Sequence, residues 1–271
     1  MRGTNLTMLT LLQKAILEKR GIPESEMEAF VEAKVDNLHN PLLLKGVEAA
    51  AEMIESAIYS QKKICIIGDF DADGITSTAL MLLALKELGA NNVVWYINNR
   101  FEFGYGLQLA SLQDAISKHG QIDLIITVDN GITSVEAIKS ARSLGIQVIV
   151  TDHHEIAEFL PDANVIINPK QPDCFYPDKN LAGVGVAFKL VQHLFNRKNI
   201  PRRALLYLDL VAIGTVADVM NITGENRIFV KNGLKLINWE KARQGVNAIK
   251  KGFNIQGEVS AYHLGFCFGP L

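Results

Sequence analysis

Acidic residues and histidines stand in three short groups that could hold metal ions. The groups are GDFDADG at 68–74, DNG at 129–131 and DHH at 152–154. Carboxylates gathered in one place repel each other, and a divalent cation relieves that repulsion. Mixed carboxylate and imidazole donors suit Mn²⁺, whereas Mg²⁺ prefers a shell of oxygen atoms. The chemistry indicated is therefore metal-assisted.

Each group also has a purely structural interpretation. GDFDADG could be a turn or a calcium loop, but a calcium loop of the EF-hand type needs Glu at its twelfth position, where Leu80, Leu82 or Ala84 stands instead. DNG is a common turn, and two adjacent histidines can be structural. All three groups together, in this order along the chain, favour a metal site.

The elements that would position these groups are short apolar strands alternating with amphipathic helices. This pattern predicts an α/β fold, a parallel sheet flanked by helices on both faces. Gly89, Gly120 and Gly145 would end the helices. Each group follows a predicted strand, and the carboxyl ends of parallel strands share one edge, so the groups converge there. The predicted strands are 64–67, 93–97, 124–128, 148–150 and 165–167, and the predicted helices are 75–89, 107–119 and 133–144.

Helical patterns dominate on both sides of this core. The first 60 residues are predicted to be helical, with a break near Asn40 and Pro41. Further helices are predicted at 184–197, 202–216, 225–238 and 240–251. We therefore expect a helical N-terminal segment at 1–60, a catalytic core at 61–220 and a helical extension at 221–271.

Composition limits the classes of protein. The chain has 271 residues, 48% of them hydrophobic, and a net charge of −2, so any contact with a polyanion must be local. The three cysteines are widely spaced, which argues against a CxxC metal site and a disulfide framework and predicts a cytoplasmic location. No apolar run reaches the roughly 18 residues of a membrane span.

With GTVADV at 214–219, the three groups resemble the four successive motifs of the DHH phosphoesterase superfamily. The intervening sequence resembles the RecJ-type exonucleases within it, from about Asn40 to the last residue. The segments that carry this second resemblance are NRFE at 99–102, GYG at 104–106, LAGVGVAF at 181–188 and NR at 226–227.

The resemblance implies one or two Mn²⁺ or Mg²⁺ ions that serve hydrolysis at phosphorus. Asp69 is implied as a further ligand, and Asp152 either as a ligand or as a partner that orients a histidine. Asp218 lies in a helical region and is assigned by motif match alone. The implied catalytic residues and principal ligands are Asp71, Asp73, Asp129, His153, His154 and Asp218.

Two positions depart from the family pattern. Ile67 stands where many DHH enzymes have a histidine, which predicts fewer ligands for one ion. Phe103 stands at a commonly acidic position.

Basic and aromatic residues inside the motifs are candidates for substrate binding. Arg100, Lys189 and Arg227 could hold phosphates, and Tyr105 or Phe101 could stack on a base. The alternative for each basic residue is an ordinary surface ion pair.

The resemblance implies a 5′-to-3′ exonuclease acting on single-stranded DNA in repair and recombination. It also implies single-stranded DNA, a single-strand-binding protein and a helicase as partners. One alternative is a phosphatase acting on pyrophosphate, oligoribonucleotides or cyclic dinucleotides, against which the insert between Asn168 and Asp218 argues. Another is an inactive DNA-binding relative, which the four intact motifs disfavour.

The C-terminal run LGFCFGP at 264–270 resembles the start of a motif that leads into a linking helix and a DHH-associated domain. This resemblance predicts a chain truncated before that domain, with weak hydrolysis. It also predicts an exposed apolar surface that self-associates.

Overall fold

Five parallel strands form one sheet in the computed structural model, which describes residues 9–271. Their order across the sheet is β2-β1-β3-β4-β5. Ile64 of the central strand pairs with Val93 on one side and Leu124 on the other. The strands are β1 (Ile64–Gly68), β2 (Val93–Ile97), β3 (Leu124–Val128), β4 (Gln147–Thr151) and β5 (Val165–Ile167).

Twelve α-helical segments are found in the described part of the chain. They are α1 (Leu11–Lys19), α2 (Glu24–Glu32), α3 (Val47–Tyr59), α4 (Ala72–Glu87), α5 (Arg100–Phe103), α6 (Leu109–His119), α7 (Val135–Ser143), α8 (Gly183–Arg197), α9 (Leu208–Ala217), α10 (Gly224–Ile237), α11 (Gln244–Gly252) and α12 (Ala261–His263). Short 3-10 helices span Val35–Asn37, Pro41–Leu43 and Pro201–Tyr207, and a π-helical turn spans Leu264–Phe268.

Helices cover both faces of the sheet. Ile64 and Ile66 of β1 join a core formed with α3, α4, α8 and α9, whereas Cys65 and Ile67 join a second core formed with α6 and α7. Successive side chains of a strand point to opposite faces, so a continuous apolar strand supplies both cores. The predicted fold class is confirmed.

The strand order creates a switch point between β1 and β3. From β1 the chain continues into α4 on one face, and from β3 it continues into α7 on the other. The loops after these two strands therefore diverge and leave a crevice at their carboxyl ends, where open α/β sheets bind ligands.

The predicted elements differ from the observed ones mainly at their ends. Gly89, Gly120 and Gly145 follow their helices with φ of 95°, 72° and 79°, as predicted for C-terminal caps. The helix predicted at 202–216 is instead a 3-10 segment from Pro201 followed by α9. α5, α12 and the π-helical turn were not predicted.

The terminal segments pack on the core. Residues 1–8 of the predicted N-terminal segment lie outside the described residues, and α3 contacts α8 and β5. α10, α11 and the π-helical turn share a third apolar cluster with α9. The domain boundaries at 60 and 220 stay predictions. Within residues 9–271, no helix is both long and apolar enough to cross a bilayer.

Aromatic rings are exposed near the C-terminus. Tyr262 and Phe266 are 66% and 67% exposed, and their ring centroids lie 4.7 Å apart. The predicted exposed apolar surface and its self-association both stay predictions.

Candidate metal centre

The loop after β1 carries three carboxylates into the crevice. Asp71 is the N-cap of α4, and its Oδ1 accepts a hydrogen bond from the N–H of Gly74 at 3.0 Å. Asp73 lies in the first turn of α4 and is only 1% exposed. Asp69 is half-buried between β1 and the cap. One turn at the end of a strand thus presents carboxylates at three depths.

The loop after β3 places Asp129 beside them. Asp129 has a left-handed backbone, with φ of 62°, and is 2% exposed. The side-chain amide of the next residue, Asn130, donates to the carbonyls of Val128 at 3.0 Å and Ile67 at 3.1 Å. This amide ties β3 to β1 and fixes the direction in which Asp129 leaves the strand.

The loop after β4 orients the histidine pair. Asp152 accepts hydrogen bonds from the N–H groups of Ile132 and His153, at 2.9 and 2.7 Å. Its Oδ1 also lies 2.7 Å from Nδ1 of His154. Because Nδ1 is engaged, Nε2 is the ring nitrogen that His154 can offer to a metal. The position of Asp152 favours the orienting role over that of a ligand.

Asp218 reaches the same crevice from a helix. It is the C-cap of α9, and the next residue, Val219, has a φ of 56°, which is rare for a β-branched side chain. The carboxylate Oδ2 of Asp218 lies 3.7 Å from Nε2 of His153.

His153 lies at the middle of the assembled site. Its Nε2 lies 3.1 Å from Oδ1 of Asp129 and 3.9 Å from Oδ2 of Asp73. Three groups of potential ligands have their donor atoms within 4.8 Å of one another, and His153 and Asp129 each belong to two. The groups are Asp129, His153 and His154; Asp73, His153 and Asp218; and Asp69, Asp71 and Asp129.

Several of the potential metal-ligand atoms in this site are buried and make no hydrogen bond with the described residues. They include both ring nitrogens of His153, Oδ1 of Asp129 and Oδ2 of Asp218. The 3.1 Å contact between Nε2 of His153 and Oδ1 of Asp129 does not have the geometry of a hydrogen bond. Unpartnered buried polar atoms cost free energy unless another group satisfies them. A divalent cation would bind to such atoms directly, so the residues present fit the predicted metal.

Burial and mutual repulsion disfavour the charged carboxylates when no cation is present. Burial raises the pKa of Asp73 and of Asp129 well above the usual range, and neighbouring carboxylates raise both further. Asp152 differs: burial opposes its ionisation, but hydrogen bonds with His154 and the backbone outweigh burial and lower its pKa. The hydrogen bond to Asp152 raises the pKa of His154.

We expect Asp129→Asn to stabilise the metal-free protein. The folded-state pKa of Asp129 lies above the unfolded value, so its cost to stability grows as pH rises between the two and is complete above the folded value. Removing the charge should raise the unfolding temperature in chelator at neutral pH by about 2–4 °C, the shift that accompanies 1 kcal/mol in a chain of this size.

Thermal unfolding with Mn²⁺ provides the contrast. Excess Mn²⁺ should raise the unfolding temperature of the wild type but not of Asp129→Asn. Asp162→Asn, an exposed control, should behave as the wild type. A lower unfolding temperature for Asp129→Asn in chelator would contradict the repulsion argument.

The predicted substrate-binding residues fall into two sets. Arg100 is exposed, with its guanidinium carbon 4.6 Å from the ring centroid of Phe70 and 5.0 Å from that of Phe101. Tyr105 is 69% exposed and packs edge-on against Phe70 at 5.7 Å. Since Phe70 stands between Asp69 and Asp71, this aromatic group borders the candidate metal ligands.

The phosphate contact predicted for Lys189 needs correction. Its side chain is completely buried, and its Nζ lies 3.0 Å from Oε1 of Glu225 and donates to the carbonyl of His39 at 2.7 Å. Tyr176 hydrogen-bonds to the same glutamate. This burial is inconsistent with the predicted contact between Lys189 and a phosphate, because a substrate strand has no access to Nζ.

Arg227 packs on the N-terminal segment. Its guanidinium carbon lies 4.7 Å from the ring centroid of Phe30, and its Nε lies 3.4 Å from the carbonyl oxygen of the same residue. The phosphate contact predicted for Arg227 stays a prediction.

Ile67 is 1% exposed and belongs to the core under α6 and α7. It offers no ligand atom. The prediction of fewer ligands for one ion rests on this position and stays untested.

Glycines contribute to the site in a way the sequence analysis missed. A Cβ on Gly214 of α9 would lie 2.6 Å from Oδ1 of Asp73 and 2.4 Å from Oγ1 of Thr76. Gly183, at the start of α8, makes a similar approach to Asp129. Both glycines lie inside motifs that resemble those of the DHH family, and this position was the sequence feature that could have indicated their role.

Comparison with known proteins agrees with this arrangement. The model of the DHH family, N-terminal domain, matches residues 63–215. The chain is 46% identical over 239 residues to the single-stranded-DNA-specific exonuclease RecJ of Escherichia coli K12 and covers 41% of that protein with 84% of its own length. It is 42% identical over 263 residues to RecJ of Bacillus subtilis 168 and covers 32% of that protein with 97% of its own length.

Solved structures of RecJ proteins are also similar to this chain. RecJ of Thermus thermophilus in complex with Mn²⁺ aligns with a TM-score of 0.75 and 32% identity, over 94% of this chain and 35% of that one. An exonuclease RecJ bound to manganese aligns with a TM-score of 0.73 and 36% identity, over 84% of this chain and 56% of that one. The chain thus spans less than half the length of the curated relatives cited above.

Proposed function

Since the chain belongs to the DHH family, we propose that its metal centre hydrolyses phosphodiester bonds in single-stranded DNA, from the 5′ end and one nucleotide at a time. The observation that carries the proposal is the convergence of three ligand groups, linked by the shared residues His153 and Asp129, beside an exposed aromatic and cationic surface. The curated relatives it resembles are exonucleases specific for single strands.

The ligands fit one or two divalent cations, Mn²⁺ or Mg²⁺, and imidazole among the donors favours Mn²⁺. Bound there, such ions would supply Lewis acidity for hydrolysis at phosphorus, and the carboxylates and imidazoles of the three ligand groups would hold them. Asp152 holds His154 by its Nδ1. Asn130 holds the loop that carries Asp129.

The surface formed by Phe70, Arg100, Phe101 and Tyr105 would bind the strand beside the cations. The Arg100 guanidinium lies over the Phe70 ring, the Tyr105 ring packs edge-on against it, and Phe101 is 86% exposed. Exposed rings stack on unpaired bases of any sequence, and a guanidinium neutralises a phosphate. This surface therefore suits single strands without sequence preference.

Product analysis tests the proposal. With Mn²⁺, a 5′-labelled single strand should release its label as a mononucleotide in the first cleavage, before any shorter labelled oligonucleotide is formed. Internal cleavage, or shortening from the 3′ end with the label retained on long products, would overturn the proposed direction.

Arg100→Gln should weaken binding of a single strand and make it less dependent on salt. If Arg100 neutralises one phosphate, the slope of log affinity against log salt should become shallower by about 0.7. Fluorescence anisotropy with a labelled oligothymidylate in chelator measures both quantities. Lys235→Gln removes an exposed charge from α10 and should leave the slope unchanged. An unchanged slope for Arg100→Gln would exclude the phosphate contact.

The biological setting follows from the same resemblance. We propose roles in DNA repair and recombination and a cytoplasmic location, with which three free cysteines are consistent. A single-strand-binding protein and a helicase stay predicted partners.

A further inference from the structure

The carboxylate of Asp73 caps a helix that lies far from it in the sequence. Its Oδ2 accepts a hydrogen bond from the N–H of Gly183 at 2.7 Å, and its Oδ1 accepts one from the N–H of Val184 at 3.0 Å. These residues begin α8, whose N-cap, Ala182, has no side chain able to serve as a cap. Asp73 therefore takes the place of a capping residue for α8.

The same turn of α8 packs against a second candidate ligand. A Cβ built on Gly183 would lie 2.3 Å from Oδ1 of Asp129 and 2.6 Å from its Cβ. Side chains essentially never approach so closely, so only glycine leaves room for Asp129 in its observed position. One helical turn thus contacts carboxylates from the ends of two strands, β1 and β3.

The electrostatics of this contact favour the ionised carboxylate of Asp73, which is the form that binds a metal ion. Backbone N–H groups at a helix N-terminus carry partial positive charge, which attracts a carboxylate. Each oxygen of Asp73 uses one lone pair for α8 and retains another for a cation. The helix itself is buried along most of its length, so its first turn is rigidly supported.

We propose that the first turn of α8 positions Asp73 and Asp129 for metal binding, through the N–H groups of Gly183 and Val184 and through the absence of a side chain at Gly183. The inference rests on the proposed function only in taking both aspartates as ligands. It assigns Gly183 a positioning role, since the residue itself touches neither substrate nor cation.

The experiment compares two glycine-to-alanine changes on one helix. Gly183→Ala should raise the dissociation constant for Mn²⁺ at least about tenfold, the lower range for loss of a residue that orients a ligand. Gly185→Ala is the matched control: it lies in the same buried turn, where the nearest contact of an added Cβ is Leu181 at 3.3 Å. It should retain wild-type affinity. Calorimetric titration with Mn²⁺ measures both without any nucleic acid.

A second variant keeps the test decisive if Gly183→Ala is poorly folded. Asp129→Gly removes the side chain that the new Cβ would meet, and the φ of 62° at Asp129 suits glycine. The loss of unfolding temperature caused by Gly183→Ala in chelator should therefore be smaller in the Asp129→Gly background. Additive losses would overturn the proposed contact.

The two proposals can fail separately. Wild-type Mn²⁺ affinity in Gly183→Ala would overturn the positioning role and leave the proposed nuclease intact. Weakened Mn²⁺ binding in Gly183→Ala would support the positioning role whether or not the wild-type chain cuts DNA. A wild-type chain that binds Mn²⁺ but leaves single-stranded DNA uncut would refute only the proposed function.

Discussion

His153→Ala should abolish Mn²⁺-dependent hydrolysis of single-stranded DNA. His153 belongs to two of the three ligand groups, so its loss removes a donor from both. Metal ions contribute several kcal/mol to stabilising charge in such reactions, and losing that contribution should lower the rate by about a thousandfold, close to complete loss of activity. Initial rates on a labelled oligonucleotide, at saturating Mn²⁺, measure the effect.

The fold should survive this change. Neither ring nitrogen of His153 makes a hydrogen bond of good geometry with the described residues, so truncation removes only the 3.1 Å contact between Nε2 and Oδ1 of Asp129. The circular dichroism spectrum should match that of the wild type. His119→Ala, at the end of α6, is the control and should keep full activity. Wild-type activity of His153→Ala, or wild-type hydrolysis in excess chelator, would refute the metal mechanism.

The sequence predicts most of the site because the site is built at strand ends. Three of the four motifs directly follow apolar runs of β-rich sequence, and parallel strands deliver their carboxyl ends to one edge. The positions of Asp73, Asp129 and His153 follow from this rule alone. Asp218 does not, since it ends a helix, and only its motif indicated where it belongs.

Contacts between distant segments could not be predicted in the same way. Asp73 and Gly183 are 110 residues apart, and their hydrogen bond depends on how α8 docks against the sheet. Hydrophobic periodicity predicts that α8 is a helix but not which residue its first turn will contact.

The case of Lys189 shows a different limit. Motif membership indicated a functional residue, and the sequence offered no sign that Glu225, 36 residues later, would pair with it in the interior. A lysine is rarely buried unless paired. Burial of this kind becomes visible only when the helices that carry both partners are packed together.

Duplex DNA with blunt ends should be a far poorer substrate than a single strand of the same sequence. The proposed strand-binding surface presents the exposed rings of Phe101 and Tyr105 beside the half-buried ring of Phe70, and stacking on these rings needs unstacked bases. A paired end must first be opened, at a cost of a few kcal/mol. Hydrolysis of the duplex should therefore be slower by about a hundredfold.

Rates on the two substrates, with equal concentrations of DNA ends, Mn²⁺ and salt, measure this preference. A duplex with a long 5′ single-stranded tail provides the matched control, because its tail should be removed at the single-strand rate until the paired region is reached. Pyrophosphate, tested in parallel, should be hydrolysed poorly. Rapid hydrolysis of pyrophosphate with no action on either DNA would favour the phosphatase alternative. Equal rates on blunt duplex and single strand would contradict the role given to the exposed rings, because stacking on unpaired bases could not then govern the choice of substrate.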